Sequence, residues 1–130
     1  MRINNTKDDM QDYRNKSKKK IYKYHDGSGN TYIIKSEFIE YRPIKPSISS
    51  SGFYDGGNYI KKQIRKLQYN KIILILKEAI RNKEIHIKNR VKMSSMIIIQ
   101  EKFNREIYIL NPNSKELFKI EKMLQDIIKN

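Results

Sequence analysis

The chain has no cysteine and no tryptophan, three prolines, five glycines and two histidines. Without cysteine, disulfides, thiol nucleophiles and thiolate metal sites are excluded, while a reducing compartment is permitted. His25 and His86 are the only imidazoles, and no H-x-x-x-H or H-E-x-x-H spacing occurs, so neither a metal nor another cofactor is expected. Long apolar runs are also missing. The longest aliphatic run, Ile72 to Leu76, is far short of the roughly 20 residues needed to cross a bilayer. The first twenty residues carry no apolar stretch of the kind a secretory signal requires. The expectation is a soluble, cytoplasmic protein with no membrane partner.

Negative charge is scarce as well. Lysine and arginine total 28 against 14 acidic residues, a net charge of +14. Such a balance favours nucleic acid or an acidic protein as partner. Lysine, isoleucine, asparagine and tyrosine all use A/T-rich codons, so base composition alone could supply part of that excess. A chain of 130 residues fits one domain, able to bury roughly two-thirds of its unfolded surface.

What is present organises around Gln68 to Asn82. Tyr69, Ile72, Ile73, Leu76, Ala79 and Ile80 recur at the spacing of a helix with one buried face, and Asn70, Lys71, Lys77, Glu78 and Arg81 fall on the solvated side. Leu74 lies off the apolar stripe and calls for a second partner, such as another copy of the chain in a homodimer. Ile60, Ile64 and Leu67 fit a stripe facing roughly the other way, so a break near Leu67 or Gln68 is expected, with a strand before it.

Residues 1–20 read as a flexible basic arm ahead of a single domain over 21–130, with Lys18, Lys19 and Lys20 massed beside Tyr22 and Tyr24. Ile21 to His25, the turn Asp26-Gly27-Ser28-Gly29-Asn30, and Thr31 to Tyr41 read as a β-hairpin. The turn is glycine-rich, but it lacks P-loop spacing and no helix follows it. Pro43 and Pro46 end the second strand. The stretch from Ile44 to Asn58 is irregular and long for a compact domain. Phe53 and Tyr54 sit among its glycines; either Phe53 tucks into the core and staples the loop, or the loop is a contact for a partner. Further strands are expected over Glu84 to Val91, Ser95 to Gln100 and Arg105 to Leu110. The run Met96 to Ile99 suits a strand buried on both faces. Asn113 can cap a final helix striped by Leu117, Ile120, Leu124, Ile127 and Ile128. The fold expected is α+β: a mostly antiparallel sheet of five or six strands with two helices on one face.

Three functions compete for this architecture. Lys18, Lys19, Lys20, Lys61, Lys62, Arg65, Lys66 and Lys71, interleaved with Tyr22, Tyr24, Tyr59 and Tyr69, suit a non-catalytic module that binds RNA or DNA, since rings among lysines can stack bases. The loop with Phe53 and Tyr54 suits contact with an acidic protein. His86 and Arg90, four apart on an expected strand, would share a face as the base and phosphate clamp of a metal-independent ribonuclease.

The order of strand, Ser/Gly-rich loop, strand, helix, strands and helix resembles the emfourins, small inhibitors of thermolysin-like metalloproteases. Their strand-flanked Ser-Gly-Gly-Phe-type loop is echoed by Ser51-Gly52-Phe53. Three residues carry no functional position across. The resemblance implies only that a protein inhibitor or immunity-type function belongs beside the others.

Overall fold

A computed structural model describes residues 20–130. Six strands form one sheet: β1 (Ile21–His25), β2 (Thr31–Ile34), β3 (Phe38–Arg42), β4 (Ile60–Gln63), β5 (Ser95–Gln100) and β6 (Arg105–Leu110). Their order across the sheet is β4-β3-β2-β1-β5-β6, and every neighbouring pair is antiparallel. Two helices, α1 (Lys66–Arg81) and α2 (Lys115–Lys129), complete an α+β domain. Among the described residues no helix is long and apolar enough to cross a membrane.

The alternation of side chains along each strand decides the layers. Tyr22 and Tyr24 of β1, Tyr32 and Ile34 of β2, Ile39 and Tyr41 of β3, and Ile97 and Ile99 of β5 point into one apolar cluster. From the helices, Ile72, Leu76, Ala79, Ile120, Leu124 and Ile128 meet them there. The two helices run antiparallel, as Asn82 reaching Glu116 and Lys119 reaching Glu78 require. Tyr24 is fully buried, and its Oη donates to Glu121 Oε2 at 2.6 Å, joining β1 to α2.

Several boundaries differ from the sequence reading. Thr31 to Tyr41 is two strands rather than one. Lys35 N–H donates to the Phe38 carbonyl at 3.0 Å, a turn without glycine or proline, and the Glu37 carbonyl accepts from Ile64 N–H. Helix α1 starts two residues earlier than its apolar stripe suggests, because Arg65, in extended conformation, serves as N-cap and its N–H is satisfied by Gln68 Oε1 at 2.9 Å. The strand-before-helix break is present, placed at Ile64 and Arg65. Leu67 belongs to neither stripe and is 80 % exposed.

Glu84 to Val91 is not a strand. A short 3-10 turn (Lys83–Ile85) follows α1, capped by Asn82, whose Oδ1 accepts from Glu84 N–H. His86 then makes an isolated bridge to Leu110. Ser114, not Asn113, occupies the N-cap position of the final helix, without a side-chain cap bond, while Asn111 Oδ1 accepts from Asn113 N–H in the preceding turn. Ser95–Gln100 forms the expected strand, with Ile97, Ile98 and Ile99 all buried.

Candidate binding surfaces

The residues alternating with the core positions build the second face of the sheet, on which neither α1 nor α2 packs. Pairing aligns Lys61, Glu40, Ile33, Lys23, Ile98 and Ile107 in one rank across all six strands. A neighbouring rank runs Arg42, Thr31, His25, Met96 and Ile109. At the far margin, Phe38 pairs with Gln63 and Arg105 with Gln100. Apolar side chains thus alternate with cations, Ile33 and Ile98 buried among them and Ile107 exposed.

Glu40 is the single carboxylate among the strand residues of this face, and it is already engaged. Tyr59 Oη donates to its Oε2 at 2.8 Å and Arg42 Nη2 reaches the same oxygen at 3.2 Å. The tyrosine bond, more than the arginine, holds the carboxyl below the usual carboxylate range. Phe38 lies under two ammonium groups, Lys61 Nζ at 4.2 Å and Lys35 Nζ at 5.1 Å from the ring centre. His25 Nδ1 lies 2.9 Å from Thr31 Oγ1. Its pKa is lowered, first by burial and then by Arg90 and Lys23. Arg90, Lys23 and Arg105 disfavour the imidazolium, while Asp26 favours it.

The loop from Pro43 to Tyr59 leaves the Arg42 end of the sheet and is held at its base. Asp26 accepts from Asn30 through both carboxylate oxygens. Asn30 in turn donates to Tyr54 Oη at 2.8 Å and accepts from Ile44 N–H at 3.0 Å. Tyr41 Oη donates to the Gly56 carbonyl at 2.6 Å. A Cβ on Gly56 would stand 2.0 Å from Asn30 Oδ1, so this contact admits only glycine. From this staple the tip projects Phe53, 89 % exposed, and Ile48, 75 % exposed. Phe53 therefore does not staple the loop; the Tyr54 hydroxyl, on a side chain still 39 % exposed, ties the loop to Asn30 instead.

The sequence-derived candidates do not form one patch. Lys18 and Lys19 lie outside the described residues. Lys20 pairs with Glu101 at 3.1 Å and, with Lys66, lines a cavity at the end of the sheet away from the loop. Tyr22 and Tyr24 are 3 % and 0 % exposed, so they cannot stack on a ligand; alternation along β1 turns them toward the helices. Lys61 stands on the open face, Lys62 on the helix side of the same edge strand, and Arg65 at the start of α1. Lys71 lies in a groove between the helices.

The ribonuclease arrangement is not assembled. His86 Nε2 lies 2.9 Å from the Ala79 carbonyl and its ring rests beside Tyr108, while Arg90 donates to the Ser94 carbonyl at 3.0 Å. The histidine near Arg90 is His25 instead. Among the described residues no group of three or more His, Asp or Glu side chains could hold a metal.

Lys23, Arg42, Arg105, His25 and Phe38 are open-face candidates that sequence reasoning missed. The signal was the period-2 alternation of Tyr22, Lys23 and Tyr24, which separates the two faces. The likeness to the emfourins rests on element order and Ser51-Gly52-Phe53 alone. Comparison of the chain with family models, with curated proteins and with solved structures yields no match.

Proposed function

We propose that the protein is a non-catalytic binding module that holds single-stranded nucleic acid on the open face of its sheet. One observation carries this reading: strands whose inner residues make a neutral core present Lys23, Arg42, Lys61 and Arg105 on the other side, and the single carboxylate there is already paired. Phosphates would be met by the cations, and bases by Phe38 and by Ile107, which is 49 % exposed; Ile33 and Ile98 are buried and only floor the surface. A duplex offers only its phosphates to such a surface and would leave Phe38 and Ile107 unused. With strands about 4.8 Å apart, six strands give a platform roughly 24 Å wide, enough for a run of several nucleotides.

The test is fluorescence anisotropy with a labelled single-stranded oligonucleotide across a salt series. Binding at low salt with log K falling linearly against log salt, by about 0.7 per phosphate contacted, is the expected result. No affinity at low salt rejects the reading.

A second reading, contact with an acidic protein, is favoured by Phe53 and Ile48 displayed on a stapled loop. Capture of a protein that survives nuclease treatment and is lost in Phe53→Ala would support it. Leu74, 59 % exposed on α1, is the corresponding candidate for self-association.

A further inference from the structure

At the end of the sheet opposite the loop lies a cavity of about 520 Å³. Its walls come from parts of the chain far apart in sequence: Lys20 ahead of β1, the turn between β2 and β3 at Glu37, and the junction of β4 with the first turns of α1. The volume falls within the roughly 300–1,000 Å³ typical of small-molecule sites.

The lining is divided. Ile64, 6 % exposed, and Tyr69, half-buried against the core, provide an apolar wall. Lys20, steadied by Glu101, and Lys66, which makes no ion pair among the described residues, provide positive charge. The first turn of α1 has no acidic residue to compete for that charge. Glu37 is the one carboxylate in the lining, and it disfavours a ligand with an anion at each end. Burial raises the Tyr69 pKa, so its phenol is a neutral hydrogen-bond donor across the physiological range.

We propose that this cavity binds a small organic anion charged at one end only, a carboxylate or phosphate ester carrying an apolar body, with the body against Ile64 and Tyr69 and the anionic end met by Lys66 and Lys20. Both charge and shape are needed. A neutral aromatic lacks the lysine contacts, and inorganic phosphate lacks the apolar wall.

The experiment titrates the isotopically labelled full chain with benzoate, phenyl phosphate, benzyl alcohol and inorganic phosphate, following backbone amide resonances. Saturable shifts at Ile64, Tyr69 and Asn70 with benzoate or phenyl phosphate are expected, and whichever binds tighter names the anionic group. Benzyl alcohol and inorganic phosphate should bind at least about tenfold more weakly, and Lys66→Gln should weaken the aryl anion by about the same factor. Absence of saturable shifts with both aryl anions overturns the proposal. So does an unchanged titration in Lys66→Gln, or shifts centred on Lys23 and Ile33 instead. Because Lys66 and Tyr69 lie on α1, away from the open sheet face, oligonucleotide affinity should be the same in Lys66→Gln, and the two readings fail independently.

Discussion

The two faces of the sheet are made from the same strands and differ in almost everything else. On the covered face, Tyr22, Tyr24, Tyr32 and Tyr41 lie among isoleucines against two helices. On the open face the intervening residues are Lys23, His25, Thr31, Ile33, Glu40 and Arg42. In sequence the tyrosines and cations look interleaved, as on a surface that stacks bases between charges. In space the interleaving is separation: a period of two sends each type to its own side. An aromatic-basic pattern within a strand therefore argues for two faces before it argues for one mixed surface.

The largest effect expected from that difference is on stability. Tyr24→Ala removes a fully buried ring and leaves Glu121 without its hydroxyl donor, so a loss of about 3–5 kcal/mol is expected by urea denaturation. Lys23→Ala, next in the chain and facing the other way, should stay within about 0.5 kcal/mol of the parent. Comparable losses in both variants would break the distinction between the faces.

Binding should show the reverse ranking. Each of Lys23→Ala, Lys61→Ala and Arg105→Ala is expected to reduce the steepness of the salt dependence by about one phosphate contact, roughly 0.7 in slope for a single strand. A slope indifferent to all three would remove nucleic acid from the open face.

The faces also carry opposite pH dependences. On the covered face, Glu121 is pushed above its ordinary 4.5, chiefly by burial and against the favourable Tyr24 bond. A raised pKa means that the folded state holds its proton more tightly than the unfolded chain. Its contribution is present in acid and is lost as pH climbs from about 4.5 through the folded value. On the open face, His25 is pushed below its ordinary 6.5, first by burial and then by Arg90 and Lys23. Its contribution is present above 6.5 and is lost as pH falls through the folded value. Denaturation curves across pH should lose the first trend in Glu121→Gln and the second in His25→Gln. A polyanion on the open face favours the imidazolium, so saturating oligonucleotide should raise the His25 pKa in an NMR titration. An unmoved or lowered value would place the ligand elsewhere.

The architecture was legible because most of it follows from local periodicity. The stripes of α1 and α2, the β1–β2 turn at Asp26 to Asn30 and the apolar run of β5 each need only neighbouring residues to be read. Three features were hidden for a common reason. The Lys35–Glu37 turn has no glycine or proline and is fixed partly by Ile64 N–H on a distant segment. The 3-10 turn after α1 defeats an alternating strand pattern because His86 is held by Ala79 and Ile87 N–H pairs with Ile109. The open face itself depends on strand order, which brings β5 beside β1 across more than seventy residues of chain. No local pattern in either strand announces that pairing.

The finest test of the two-face account lies between adjacent lysines. Lys61 and Lys62 are indistinguishable in composition, charge and sequence neighbourhood, and both follow Ile60 on edge strand β4. Pairing sets Lys61 opposite Glu40 in the open-face rank and over the Phe38 ring, while Lys62 stands opposite Ile39, a core residue. If net charge alone draws the ligand, Lys61→Ala and Lys62→Ala must weaken it equally, since each removes one positive charge at nearly the same place. If the open face holds the ligand, Lys61→Ala reduces affinity severalfold, and Lys62→Ala leaves it within about twofold at physiological salt, where charges beyond roughly 8 Å are largely screened. Equal losses in the pair would reduce the open face from a binding surface to one part of a diffuse positive field.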